Sequence, residues 1–217
     1  MTNVSMPGKV ATRRFLRQTA IRELERLGYK VERVPRVGKG SLRKITKDGV
    51  SKIATIRTTQ DTWIAFPRNE ADTGWSTLED ADVVVVASLT EKGSARANFH
   101  IMDADDVRAR FDRARKAKLE AEHAMPTGRG VWISLYSQEA ASPVSMVGAG
   151  AGLAFKPFLA NVPVVVENET GEIDDGEDGS DREEVKEDGP LTIADAKRRL
   201  DLTFGVDPSA IKITVEG

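Results

Sequence analysis

Ala81-Asp82-Val83-Val84-Val85-Val86-Ala87-Ser88-Leu89 decides the fold of this chain. A half-buried strand alternates apolar and polar residues, because successive side chains point to opposite faces of the sheet. Here the valines run without alternation. Both faces of such a strand must be covered, as happens at the centre of a layered α/β sheet. The run is interrupted by Asp82 and Ser88, and Val162–Val166 by Pro163; both are far too short to cross a bilayer as a helix. The expectation is an α/β protein with a central mixed sheet flanked by helices.

Upstream of this strand the punctuation is clear. Thr12 is a plausible N-cap for a helix to about Leu27, with Leu16, Ala20, Ile21, Leu24 and Leu27 spaced as one buried stripe. Gly28 then ends the helix. Tyr29–Val34 alternates as a strand, and 35–40 is a basic, glycine-containing loop. Ser41–Thr46 and Ser51–Thr58 flank Asp48-Gly49, two residues that tolerate positive φ and so signal a hairpin. Thr62–Phe66 reads as a further strand, and residues 1–9 as unstructured.

Downstream, Asn98–Met102 is a strand, and Asp103 or Asp105 caps a charged helix over roughly Asp106–His123. Its apolar residues Val107, Phe111, Ala114 and Leu119 form a thin stripe, so most of it should be solvated. Val131–Tyr136 is another strand. Gly148, Gly150 and Gly152 lack the spacing of a dinucleotide loop and suit a flexible or tightly packed connection. These elements make one domain over 1–165. Residues 166–190 are acidic and nearly free of apolar groups, which suits a disordered linker. Residues 191–217 read as a helix–strand element too small to fold alone.

The formal net charge of −2 hides a strong polarity. Residues 1–60 hold 15 Lys and Arg against four Asp and Glu, whereas 166–188 hold 12 acids against two bases. Arg13, Arg14 and Arg17 lie on consecutive turns of the first helix; Arg33, Arg36, Lys39, Arg43, Lys44, Lys47, Lys52 and Arg57 follow on strands and loops. Phosphate recognition needs several such cations converging on one face, and the alternative is a solvated face. The acidic stretch could compete with phosphate for the same cations. There are no cysteines, which excludes disulfides and thiolate metal sites and fits a reducing cytoplasm.

The order helix–strand–hairpin–strand–strand over 12–89 resembles the core of the PD-(D/E)XK, or restriction-endonuclease-like, superfamily. The similar residues are Gly28-Tyr29-Lys30-Val31, the Asp48-Gly49 turn, Ile53-Ala54-Thr55-Ile56-Arg57-Thr58-Thr59, and Trp75-Ser76-Thr77-Leu78 leading to Asp82-Val83-Val84-Val85-Val86. The resemblance spans roughly 12–136. It implies a nuclease in which two carboxylates bind a divalent metal and a lysine helps activate water. Residue by residue, however, Arg57 falls on the lysine, Thr55 on the strand carboxylate, and Leu42 or Arg43 near the other. Arginine stays protonated and cannot act as a base. The resemblance therefore implies a nuclease fold without its metal site, hence no catalytic residue, metal or cofactor.

The leading expectation is a non-catalytic, nuclease-like protein that binds DNA or RNA through Arg13, Arg14, Arg17, Arg36, Lys39, Arg43, Lys44, Lys47, Lys52 and Arg57. One alternative is a metal-dependent nuclease with a rearranged site drawing on Glu23 or Glu25 with Asp48 or Asp61. Another is an adaptor that recognises a protein partner through Leu191–Gly217. No membrane partner is expected, and the compartment is the cytoplasm. His100 and His123 have no partner spacing for zinc. Ser134, Ser137 and Ser145 lack a nucleophile-elbow context. Trp63, Trp75 and Trp132 read as core.

Overall fold

The computed structural model describes residues 7–34, 41–69, 71–123, 125 and 130–165. The acidic segment 166–190 and the element 191–217 lie outside the described residues. Helix α1 spans Pro7–Arg26 and starts at Pro7 rather than Thr12, so 7–9 are helical and not unstructured. Proline is suited to a helix start, since its fixed φ is helical and its missing N–H would lack a partner there anyway. Leu16, Ala20 and Leu24 are fully buried as the stripe requires, while Leu27 falls beyond the helix and is exposed. Gly28, at φ +89°, lets its N–H reach the Glu25 carbonyl (2.9 Å) and the Tyr29 N–H reach that of Leu24 (3.0 Å). This paired closure satisfies carbonyls the helix end would leave open.

Strands β1 (Lys30–Arg33), β2 (Leu42–Lys47) and β3 (Val50–Thr59) form an antiparallel meander. Lys47 pairs with Val50 across a two-residue turn in which Asp48 (φ 51°) and Gly49 (φ 78°) both take the left-handed conformation. Strand β4 is Trp63–Pro67, and β5 (Val83–Leu89) then returns parallel to β3. Strand β6 (Arg96–Asp103) is antiparallel to β5. Helix α2 spans Ala104–Glu120, and the Asp103 carboxylate accepts from the N–H groups of Asp105 (2.9 Å) and Asp106 (3.0 Å), so Asp103 is the cap. After it come β7 (Gly130–Ser134), a 3₁₀ turn at Val144–Met146, the one-turn helix α3 (Ala151–Ala154) and β8 (Leu159–Pro163).

The central sheet is mixed and six-stranded, in the order β1-β2-β3-β5-β6-β8. The strands read at 62–66 and 131–136 do not join it: β4 and β7 pair with each other as a separate two-stranded ribbon. Every residue of β5 is buried, and its neighbours divide by parity. Val83, Val85, Ala87 and Leu89 pack with Leu16, Ala20 and Leu24 of α1. Val84 and Val86 pack with Val107 and Phe111 of α2 and with Ile64, Phe66 and Ile133 of the ribbon. Three layers result: α1, the central sheet, and a mixed layer of α2 and ribbon. In α2, Ala104 completes the buried stripe and Leu119 is exposed. Among the described residues no helix is long and apolar enough to cross a membrane.

Candidate nucleic-acid interface

The ends of the sheet determine where the cations lie. The Gln60 side-chain amide donates to the Lys9 carbonyl (2.5 Å), so the start of α1 sits at the C-terminal end of β3. The other end of α1 meets Tyr29, whose ring lies 5.2 Å from the Lys47 ammonium beside the hairpin turn. Helix α1 thus runs antiparallel to β3; Arg13 and Arg14 fall in its half nearer the C-terminal end of β3 and Arg17 at its middle, all partly buried. Arg33 and Arg43 pair directly across β1 and β2, level with Ala54 at the middle of β3. Arg33 is exposed and Arg43 only 8% exposed. Arg43 Nη1 donates to the Leu42 carbonyl (2.7 Å).

Strand parity scatters the remaining candidates. Arg43, Lys47 and Lys52 share a sheet face with Ile45 and Ala54, the α1 side. Lys44 and Arg57 occupy the opposite face. Lys44 and Lys52 are exposed, and Lys47 lies at the far end of the sheet. Arg57, 7% exposed, is tied into the protein: its guanidinium lies 4.3 Å from the Phe66 ring centre and Nη2 donates to Thr77 Oγ1 (2.5 Å). Thr77 itself takes φ 63°, an outlier for a β-branched residue, and is buried. Arg57 is therefore built into the layer between sheet and ribbon and does not join Arg13, Arg14, Arg17 and Arg33. Arg36 and Lys39 lie outside the described residues.

The carboxylates offered for a rearranged nuclease site are separated. Glu23 pairs with Arg26 (2.9 Å) in the half of α1 nearer the hairpin, Asp48 is in the hairpin turn, and Asp61 accepts from the Thr62 N–H (2.6 Å) at the opposite end of β3. Among the described residues no group of three or more His, Asp or Glu is placed to hold a metal ion. An open depression beside the start of β3 does gather Lys52, Asp82, Asp103, Asp105 and Arg108. Its acids already have partners: Asp82 accepts from Ile53 N (2.7 Å), Asp103 caps α2, and Asp105 pairs with Arg108.

Two features escape a reading of the sequence. First, the arginines of α2 hold loops and are not merely solvated. Arg113 grips Glu139 through two bonds (2.9 and 3.0 Å), and Arg110 holds Asp106 and the Ala149 carbonyl (both 2.6 Å). The Arg113 hydrogen bonds, with the Gly148 N–H and nearby Arg110, lower the Glu139 pKa against the opposing effect of burial. Second, His100 is completely buried and holds the loop before β8. Its Nδ1 must donate to the Phe155 carbonyl (2.7 Å), which can only accept. Nε2 then accepts from the Tyr136 hydroxyl (2.9 Å), whose oxygen takes the Ser88 hydroxyl (2.7 Å) and the Asn98 amide (3.4 Å). Burial lowers the His100 pKa, and the Phe155 bond only partly offsets it.

Comparison with protein-family models, curated proteins and solved structures gives no match to this chain.

Proposed function

We propose that this protein binds nucleic acid without cutting it, using Arg13, Arg14, Arg17 and Arg33 to hold phosphates, with Arg43 beneath them. The observation that carries the reading is the placement of Arg33 opposite Arg43, level with Ala54 at the middle of β3 and on the sheet face that packs against α1. The first turns of α1 contribute Lys9, Arg13, Arg14 and Arg17 with no acid before Glu23. Such a concentration of guanidinium groups attracts a polyanion and can bind its oxygens bidentately. The restriction-endonuclease-like assignment belongs to the same proposal. It is supported by the order α1, β1, the β2–β3 hairpin and then β5, with Arg57 at the position of the family's lysine. The lack of cysteine suits a cytoplasmic setting.

The test is the salt dependence of binding to a short labelled duplex. With about five phosphate contacts the slope of log K against log salt is about −4 to −5. The triple variant Arg13→Glu, Arg17→Glu, Arg33→Glu should bind far more weakly with a slope shallower by about 3, while keeping its circular dichroism spectrum. Wild-type protein that fails to bind at low salt, or a triple variant that binds unchanged, refutes the proposal. Cleavage with magnesium that is lost on changing Glu23 or Asp48 would restore the nuclease alternative.

A further inference from the structure

We infer that β8 is a releasable cover over the edge of β6, latched by His100 while that ring is neutral and let go when it takes a proton. On the ribbon side of the central sheet, exposure does not follow residue type. Ile64, Phe66, Val131 and Ile133 face α2 and the sheet, so Trp132 faces away from them and is 50% exposed. The expectation that all three tryptophans are core therefore fails at Trp132. His100 of β6 lies on the sheet face it shares with Val86 and is, by contrast, completely buried. Strand β8 covers the edge of β6 thinly. None of its five residues is buried. Leu159 pairs with Phe99 and Val162 with Ala97, with a register shift between them. The Asn161 N–H and carbonyl are both held by β6 side chains, Asn98 Oδ1 and Arg96 Nη1 (2.9 Å each). Few buried contacts and an interrupted ladder place a strand among the parts of a fold that open first.

The latch joins this strand to His100. Asn98 and His100 are two residues apart on β6 and share a face. Asn98 holds Asn161 through Oδ1 and donates from its amide nitrogen to the Tyr136 hydroxyl (3.4 Å). His100 donates from Nδ1 to the Phe155 carbonyl (2.7 Å), just before β8, and accepts at Nε2 from the same hydroxyl (2.9 Å). One phenol therefore ties both ends of the segment 155–161 to β6. A proton on Nε2 upsets this arrangement: two donors would meet, and the Tyr136 hydrogen must turn away toward Ser88. No charge stands ready to offset the new one. Strand β5 presents Val86 and Ser88 on this face, the segment after β7 presents Tyr136, and the segment after α3 presents the Phe155 carbonyl. Lys156 is exposed, and Arg110 of α2 is engaged by Asp106 and the Ala149 carbonyl. Among the described residues, burial and the Phe155 bond are the causes that shift the His100 pKa. A buried cation without a carboxylate is costly, whereas opening 155–163 returns the ring to water and breaks few bonds. Release bares the outer edge of β6, eight residues without a proline, an edge that can accept a further strand.

The experiment follows the full chain by NMR from about pH 7.5 to about pH 5, the span over which an ordinary histidine gains its proton. Amide hydrogen exchange, corrected for its intrinsic pH dependence, is measured at Phe158, Asn161 and Val164, which donate to Phe99, Asn98 and Ala95, and at Val85 in the fully buried β5. With the opened ring titrating at its ordinary 6.5, the open population at β8 can rise at most about thirtyfold over this range. A rise of about tenfold or more is expected, with Val85 still protected. The chain has only two histidines, and the His100 ring resonance, identified by its contact with Tyr136, should titrate in step with β8 exchange. His100→Asn keeps a donor for the Phe155 carbonyl and has no titrating ring, so its β8 exchange should not change with pH. Exchange at β8 that is flat with pH in the wild type, or that responds equally in His100→Asn, overturns the latch. So does a His100 ring that titrates while β8 stays protected. Loss of Val85 protection together with β8 also overturns it, because the whole domain would then be unfolding. Should His100→Asn not fold, the wild-type comparison of ring titration with β8 exchange decides by itself.

Discussion

Replacing Tyr136 by phenylalanine removes one oxygen and strips two buried groups of a partner. Ser88 and His100 are both fully buried, and each bonds the Tyr136 hydroxyl. Leaving a buried polar group without a partner costs about 1–3 kcal/mol. Ser88 can rotate toward another acceptor, so about 2–4 kcal/mol is expected for the pair. A domain is usually stable by about 5–15 kcal/mol, so this is a large fraction. Urea unfolding at pH 7.5, followed by far-UV circular dichroism, should show a midpoint lowered by about 1–2 M. Adding Ser88→Ala removes one of the orphaned groups, so the double variant should lose less than the sum of the two single changes. The same network sets a pH response. Burial holds the folded His100 pKa below its ordinary value of 6.5. Below that pH the unfolded chain takes up a proton that the folded chain resists, so stability is complete above 6.5 and falls as the solution is acidified. The slope approaches 1.4 kcal/mol per pH unit at most, about one proton's worth. A Tyr136→Phe loss under about 0.5 kcal/mol, or stability flat from pH 7.5 to 5.5, would refute this account of the buried network.

Other perturbations test other parts of the molecule. Gly148 sits at φ +79°, and a β-carbon there would collide with the Arg110 carbonyl oxygen, so Gly148→Ala should cost about 2–4 kcal/mol, read by thermal unfolding. Arg113→Ala breaks a half-exposed pair with Glu139 and should cost only about 0.5–1 kcal/mol, while making the 139–148 loop more susceptible to limited proteolysis. Exchanging 167–188 for a Gly/Ser chain of equal length removes 12 acids and two bases. If those acids compete with phosphate for the arginines, the exchanged protein binds more tightly at low salt and the difference closes as salt rises; equal affinity at low salt would leave the segment as a spacer.

The parts of the fold that rest on local chemistry are legible in the sequence. The valine run, the Asp48-Gly49 turn and the Asp103 cap each depend on a few neighbouring residues, and each lies where the local chemistry puts it. What escaped depends on distant pairing. Nothing near Trp63 announces that its strand will leave the central sheet for one beginning at Gly130. His100 has no chain neighbour that reveals Tyr136 or Phe155. The strand cations do not share one face, for a reason the sequence does contain. Arg43 and Lys44 are adjacent in a strand, so they must point to opposite faces, and a list of charges by position overlooks that parity. Trp132 was hidden in another way: outward and inward faces of a two-stranded ribbon can be assigned only when the layer beneath it is known.

Among the described residues, β1 and β8 are the outermost strands of the central sheet, and each is a poor template for growth. An edge with a long, regular row of unpaired amides and carbonyls invites a strand from a neighbouring molecule. Strand β1 offers only Lys30–Arg33, and three of those four residues are charged. Strand β8 breaks register with β6 between Ala97 and Phe99, turns Asn161 to φ 57°, and ends on Pro163, which has no amide hydrogen to give. If the protein gathers along a polyanion, as proposed above, it is crowded against its own copies. These margins let copies lie side by side without fusing their sheets into a fibril.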